Sequence, residues 1–587
     1  MRPAPKKKIH ERFSPWAWLI LIVVSAFYIS INYAGTEGLN PSDDGLILAQ
    51  SWRIILGQVP HLEFISIRPV GSGVLHSIHF LLPFPLEISA RYFVLFQFFV
   101  IAFSWVQFFR LKSNFKHEIP NIYKLSLLII AWVCTIYNHY LFPWSTIDAI
   151  FWSSMGFYLT ERSFNIRRQT ICLTLGLLAF VLAALSQQTF AVIPIIGWLW
   201  VAIRLYRKKA WKTGLIAAAI GILPVLLYAI VIATNDAGRA FLTQMTSYTE
   251  FYDKAIMSFY NHFTTNNMKW INIAIISMAV LIGIGKRLST KLYSFLATLP
   301  AMRMLFLLET ALVLYILYGI PEYFINAESR DIYTLSFRAF WILLDLLLIS
   351  ILVQGNKFNA CVPAWFGLFV AWTGTISQGV NTPILSLGIL VISILYVYLI
   401  KYQDVLLLKQ KWLRVALPAI ALLYLITGTL SQQQINYRDV SIDKQTHKLK
   451  NIHPDYGNIK TNKHTYAYFE EIDSLINNYR NSDTQIVFLP DNAIIYPVYR
   501  LTNPLPLDWP QNLGKIMRQE HRFNKELIWK IDEGVIFFLQ KYNVKIIYKS
   551  YKKLDYNKYP YMEIIFNECE FIDETRYFRI YSKYPIE

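Results

Sequence analysis

Charge is scarce in this chain. Only 16% of its 587 residues are Asp, Glu, Lys or Arg, against about a quarter in ordinary soluble domains. Cysteine is scarcer still: Cys134, Cys172, Cys361 and Cys569 lie far apart, three of them within apolar runs. That spacing excludes a disulfide framework and any cysteine-based metal motif. No P-loop, no Rossmann glycine fingerprint, no H-E-x-x-H and no G-x-S-x-G occurs, which argues against nucleotide-driven chemistry. Internal repeats and low-complexity tracts are also missing. The net charge of +18 would suit a nucleic-acid partner. Through the first 430 residues, however, the Lys and Arg sit in short clusters between apolar runs, so no nucleic acid is expected.

What is abundant is apolar and aromatic surface, at 55% and 16% of residues. A membrane helix needs about 20 apolar residues. Runs near that length lie at about 16–34, 89–109, 123–142, 147–160, 170–186, 190–206, 213–234, 269–285, 303–320, 335–353, 361–377, 382–400 and 415–430. About thirteen spans are therefore predicted. The N-terminal basic segment and apolar run are too long for a signal peptide and lack an A-x-A site, so they read as a retained first span.

Loop charge tests this parse through the positive-inside bias. Arg110, Lys112 and Lys116, then Arg162, Arg167 and Arg168, fall in predicted inner loops. So do Arg204, Arg207, Lys208, Lys209 and Lys212, then Lys286, Arg287 and Lys291, and finally Lys401, Lys409, Lys411 and Arg414. Predicted outer loops hold few cations. The expected topology has a cytoplasmic N-terminus, a membrane module over 1–430, a long first outer loop at about 35–88, and a soluble, outward-facing tail at 431–587. The fold class predicted is mainly α, a polytopic helical membrane protein with a small α/β C-terminal domain.

In the first loop, 43–57 predicts an amphipathic helix with Ser42 or Asp43 as N-cap, and 74–83 a short interfacial helix. In the tail, helices are predicted at 463–479 and 526–542, strands at 484–489 and 544–548, and a turn at Pro490-Asp491-Asn492.

Charged groups in or beside membrane helices need a reason. Asp43, Asp44, Glu63 and Arg68 stand together in the first outer loop, with His61, His76 and His79 nearby. Asp43 or Asp44 suits a general base, or equally a helix cap that meets the helix dipole. Asp148, heading a span after Pro143-Trp144-Ser145-Thr146, has the same two readings. Glu322, Glu328, Arg330 and Asp331 read as a solvated face. Arg68, Arg91, Lys269 and Arg338 lie at outer boundaries, either as phosphate grips or as snorkelling anchors. Gln187 and Gln188 predict a tight outer turn.

The stretch from Asp43-Asp44-Gly45 through Trp52-Arg53 to Gly57-Gln58-Val59-Pro60 resembles the first outer loop of GT-C glycosyltransferases. Its continuation Pro60-His61-Leu62-Glu63-Phe64, then Arg68-Pro69, departs from the family pattern at His61 and Glu63. Leu185-Ser186-Gln187-Gln188-Thr189, the tail segment Phe488-Leu489-Pro490-Asp491-Asn492 and Asn503-Pro504 carry the likeness along the chain. It is nearest to the protein O-mannosyltransferase and lipid A aminoarabinose transferase group. This resemblance implies an inverting glycosyltransferase at the outer face. It would take a sugar from a polyprenyl-phosphate donor and pass it to a lipid, glycan or protein acceptor of the cell envelope. Asp43 or Asp44 would be the base, Asp148 a further acid of the site, Arg68 and then Arg338 the phosphate ligands, and Glu63 a substrate contact. Some members bind a divalent metal, which the His61 and Glu63 departures leave open here. A flippase of lipid-linked saccharides is the alternative reading.

Overall fold

The computed structural model describes residues 24–41, 43–112, 121–137, 141–165, 169–246, a few positions between 270 and 280, then 299–326, 331–354, 358–378, 383–402, 413–434, 439–480, 485–510 and 519–585. Most of the predicted span at 269–285 and of the first span, with Ser42, Lys269, Glu328 and Arg330, lie outside the described residues.

The chain is a helical membrane protein. A helix entering at Val24 ends in a π-helical turn, Ile31–Gly35, and the first loop follows. That loop holds α1 (Leu46–Ile55), α2 (Gly71–His76) and a 3-10 turn, Ser77–Phe80. The bundle then runs through α3 (Leu86–Lys112), α4 (Asn121–Ile136), α5 (Ser145–Ser163), α6 (Gln169–Ser186), α7 (Val192–Lys208), α8 (Trp211–Gly221), α9 (Leu223–Thr234) and α10 (Gly238–Thr246). It continues with α11 (Leu299–Asn326), α12 (Asp331–Gln354), α13 (Phe358–Gln378), α14 (Leu387–Lys401) and α15 (Leu413–Gln434). Six of the described helical stretches are long and apolar enough to cross a membrane. The predicted runs from 89 to 234 and from 303 to 430 all fall on helices.

Pairing of polar groups separates the two ends of the bundle. Glu161, late in α5, meets Lys112 from the end of α3 and Arg204 from α7, each at 3.1 Å. Ser145, at the start of α5, accepts from Arg68 at 2.8 Å and donates to Gln187 at 2.8 Å. Sixteen residues of helix, roughly 24 Å, lie between these clusters, close to the hydrocarbon thickness of a bilayer.

After α15 the chain becomes a layered α/β unit. The small pair β1 (His447–Lys448) and β2 (Lys460–Thr461) precedes α16 (Lys463–Tyr479), β3 (Ile486–Leu489), α17 (Ile495–Tyr499), α18 (Glu520–Asp532), β4 (Ile536–Gln540), α19 (Pro560–Glu568), β5 (Glu570–Glu574) and β6 (Phe578–Ser582). The main sheet has strand order β3-β4-β6-β5, with β3 and β4 parallel and the rest antiparallel. Every residue of β3 and β4 is buried, because α16 and α18 supply cores on opposite faces of the sheet. Phe488 and Phe538 join the Tyr468–Ile472 side of α16, and Val487 and Phe537 join the Phe523–Leu527 side of α18.

Two tail expectations are overturned. The helix predicted at 526–542 stops at Asp532, since Gly534 at φ +81 turns the chain and the following Val-Ile-Phe-Phe-Leu run is β-branched and aromatic, as strands prefer. The strand predicted at 544–548 is instead a 3-10 turn at Val544–Ile546, capped by the Asn543 side chain. Helix 463–479 lies where predicted, with Asn462 as N-cap accepting from the His464 and Thr465 amides.

Candidate active site

The first loop is built as much by the tail as by the bundle. The Ile494 amide donates to the Pro41 carbonyl at 2.9 Å, and a Cβ on Gly45 would stand 2.1 Å from that same nitrogen. Only glycine permits this approach. The Gly38 amide donates to Gln445 and to the Lys460 carbonyl, both at 2.9 Å. Trp52 donates to the Leu501 carbonyl at 3.0 Å, and Arg53 grips Asp508 from α1.

Within that frame Asp43 and Asp44 are both buried, at 4% and 3% exposure. Neither caps α1 through its side chain, because the N-cap is Gly45 and the helix starts at Leu46. The capping reading is therefore corrected: the acids belong to the preceding turn. Asn40 organises it, accepting from the Asp43 amide at 3.0 Å and donating its own amide to Asp44 Oδ2 at 3.1 Å. Arg91 of α3 donates to the same oxygen at 2.9 Å and to the Glu37 and Gly38 carbonyls at 3.1 and 2.6 Å. Burial pushes the Asp44 carboxyl above its ordinary range, with Asp43 adding to the rise, while Arg91 and the Asn40 amide pull it down. One turn before Arg91, both carboxylate oxygens of Glu87 are buried with no hydrogen-bond partner among the described residues.

Asp148 is fully buried and likewise caps nothing, since the N-cap of α5 is Trp144 without a side-chain bond. Its Oδ1 accepts from Gln97 of α3 at 2.8 Å and lies 3.1 Å from His76 Nε2. The residues of α3 that engage Asp44 and Asp148, Arg91 and Gln97, leave the helix on faces roughly 120° apart at 100° per residue. The first-loop acid and the second-loop acid thus occupy two clusters beside one helix.

Arg68 knits three loops together. It donates to Ser145, its guanidinium lies 4.9 Å over the Trp144 ring, and Gln188 beside it donates to the Ile67 carbonyl at 2.8 Å. Gln187 and Gln188 form the predicted turn, opening the 3-10 segment Gln188–Ala191. Glu63, by contrast, is exposed and closes its own turn by accepting from the Val59 amide. Arg338 turns to α11, donating to the Tyr315 hydroxyl and lying 5.5 Å over its ring. The structure groups Arg68 with Ser145 and Gln187, and it does not bring Glu63 or Arg338 into that group.

A cavity of about 640 Å³ opens between the first loop and the bundle. Val70, Gly71 and Val74 of the first loop form one wall, Leu182 and Leu185 of α6 another, and Leu227 of α9 a third. The first loop lies close on α6, where a Cβ on Gly71 would stand 2.6 Å from the Leu185 carbonyl oxygen. At the rim, His61 holds the loop in place despite its left-handed φ of 68°. Its Nδ1 is 2.7 Å from Gln244 Oε1, which also accepts from the Ser66 amide, so Nδ1 carries the proton. Its Nε2 then accepts from the Tyr228 hydroxyl at 2.6 Å. Burial keeps the His61 imidazole below its ordinary pKa. Sequence reading missed this clamp because its partners lie 167 and 183 residues away. Among the described residues no group of three or more His, Cys, Asp or Glu side chains is arranged to hold a metal ion.

No protein-family model and no curated protein matches the chain. Among solved structures it is similar to the archaeal oligosaccharyltransferase AglB from Archaeoglobus fulgidus, in complex with an inhibitory peptide and a dolichol-phosphate. That likeness has a TM-score of 0.43 and 13% identity, covering 91% of this chain and 70% of AglB. It is also similar to ArnT from Cupriavidus metallidurans in the apo state, with a TM-score of 0.39 and 10% identity over 97% of this chain and 98% of that one.

Proposed function

We propose that the chain is a GT-C-like glycosyltransferase that takes a sugar from a polyprenyl-phosphate donor and passes it, with inversion, to an envelope acceptor outside the membrane. The observation that supports this most directly is an apolar cavity whose first-loop wall begins at Val70, close after Arg68 in sequence. A lipid-phosphate-sugar needs an apolar channel for its chain and a cation for its phosphate, side by side at one membrane boundary. Val70 and Gly71 line the cavity two and three positions after Arg68. A guanidinium suits a phosphate through its forked donors.

On this reading an acceptor hydroxyl attacks the anomeric carbon as the bond to the phosphate oxygen breaks, and a buried carboxylate takes the hydroxyl proton. We assign that role to Asp43. Asp44 is committed to Arg91 and to the Asn40 amide, which fits an anchor better than a base. Asp148 is the further acid, and the loops carrying these groups face away from the cytoplasm.

The test is transfer by purified protein in proteoliposomes, offered polyprenyl-phosphate-linked hexoses and pentoses with envelope glycolipids as acceptors. Release of polyprenyl phosphate with a new glycolipid is expected. Movement of the intact donor between leaflets without bond cleavage would mark a flippase instead. The Arg68→Ala variant should raise the donor KM at least tenfold.

A further inference from the structure

Four side chains beside α3, three of them buried, are joined in series. Asp148 Oδ1 lies 3.1 Å from His76 Nε2, His76 Nδ1 lies 3.1 Å from His79 Nε2, and His79 Nδ1 lies 3.2 Å from Ser89 Oγ. A carboxylate oxygen only accepts, so His76 carries its proton on Nε2. A neutral His76 then has an acceptor at Nδ1, and a contact of 3.1 Å there requires His79 to donate from Nε2. The Ser89 hydroxyl, 3.2 Å from His79 Nδ1, donates its proton to the Leu86 carbonyl at 2.9 Å. The donors thus run from His79 through His76 to Asp148.

The surroundings hold the chain in this order. Phe93 of α3 sets its ring edge-on to both imidazoles, each at 5.5 Å. Gln97 supplies the second donor to Asp148 Oδ1. The titratable groups facing His76 are Asp148 from α5 and His79 from its own loop, while α3 contributes Ser89, Phe93 and Gln97. Burial, with His76 beside it, holds the His79 imidazole down at about 3, in keeping with a neutral ring.

Both nitrogens of His76 are consumed, and the residue is 0% exposed. The unshared atom of the series is Asp148 Oδ2, buried and without a hydrogen-bond partner among the described residues. Three residues earlier, Ser145 binds Arg68. We infer that His76 is a positioning residue: by fixing Asp148 through Oδ1 it leaves Oδ2 to accept a hydrogen bond from a hydroxyl of the acceptor other than the attacking one. This rests on the glycosyl-transfer reading and deepens it.

Full-length protein with ¹⁵N-labelled histidine, reconstituted in lipid, tests the arrangement without turnover. His76 should show a protonated Nε2 and a bare Nδ1, and Asp148→Asn should perturb that Nε2 resonance. Proteoliposome kinetics with a polyprenyl-phosphate-linked hexose and an envelope glycolipid acceptor test the consequence. Asp148→Asn and His76→Ala should each lower kcat/KM for the acceptor roughly 10²-fold with donor KM unchanged, and the double variant should be no worse than Asp148→Asn alone. His76→Gln, which retains a donor toward Asp148, should recover at least tenfold over His76→Ala. Additive losses, or a His76 proton on Nδ1 in an active protein, overturn this inference alone. A wild-type protein that neither cleaves nor transfers the donor overturns the transferase reading, and the role of His76 toward an acceptor goes with it.

Discussion

Arg53 and Asp508, 455 residues apart in sequence, meet in a buried ion pair at which the guanidinium Nε and Nη2 together engage both carboxylate oxygens at 2.8–3.0 Å. The same Nη2 donates to the Leu505 carbonyl at 2.6 Å, and Asn503 donates to Asp508 Oδ1 at 3.0 Å. The pair pins α1 of the first loop to the tail. Its orientation by neighbouring dipoles is what makes a buried pair tolerable, since desolvation of each ion is costly.

Arg53→Met should therefore destabilise the protein by about 3–5 kcal/mol, because it strands the Asp508 charge. Thermal unfolding of purified protein in detergent would measure this. Arg53→Met combined with Asp508→Leu should recover part of the loss. A double variant as unstable as the sum of the singles would contradict the pairing account.

The two first-loop acids should separate by phenotype. Asp44→Asn removes the partner of Arg91 and should lower thermal stability. Asp43→Asn, which leaves the Asp44–Arg91 pair in place, should cost less stability than Asp44→Asn and cut transfer by about 10²–10⁴-fold, the usual range for loss of a proton-transfer group. Melting curves and transfer rates on both variants decide between base and anchor. Full activity in Asp43→Asn would sink the assignment.

The cavity makes a prediction about chain length. Val74→Trp places an indole where the lipid chain is proposed to lie, so the KM for long-chain polyprenyl donors should rise severalfold. Donors with a single isoprene unit should be much less affected. Equal loss with short and long donors would show that the substitution acts elsewhere.

His79 gives stability a defined pH dependence. Its folded pKa of about 3 lies below the ordinary 6.5, so the unfolded chain binds the proton more readily. The stabilisation is complete above the unfolded value and is lost as pH falls from 6.5 towards 3. At pH 5 the loss relative to pH 7 should reach about 2 kcal/mol. His79→Gln should abolish that component, read as a flatter dependence of the melting temperature on pH.

Much of this architecture could be read from residue patterns. Apolar run lengths placed the helices from 89 to 234 and from 303 to 430, because a membrane helix advertises itself through local composition. Lys463–Tyr479 was legible as a helix, whereas its Asn462 cap came only with the structure. The tail strands were harder. The boundary between α18 and β4 hangs on one glycine, and β5 sets only Phe571 and Ile572 among charged residues, with little burial. At the candidate site, residue types marked Asp43, Asp44, Asp148 and Arg68 as groups with a purpose. Their partners were not legible. Arg91, Gln97 and His76 meet those acids through helix packing, and nothing near Asp148 in sequence points to a histidine 72 residues upstream.

The contact of Gly45 with Ile494 carries a consequence for anyone recombining such proteins. A chimaera that joins this membrane bundle to a tail from another source would force unfamiliar backbone against a loop with no room to yield. The functional cassette is therefore discontinuous, with residues 36–68 and 439–508 forming one exchangeable unit. A graft that moves both segments together should keep its shape, whereas a cut made neatly at residue 434 would leave each half fitted to a surface it no longer meets.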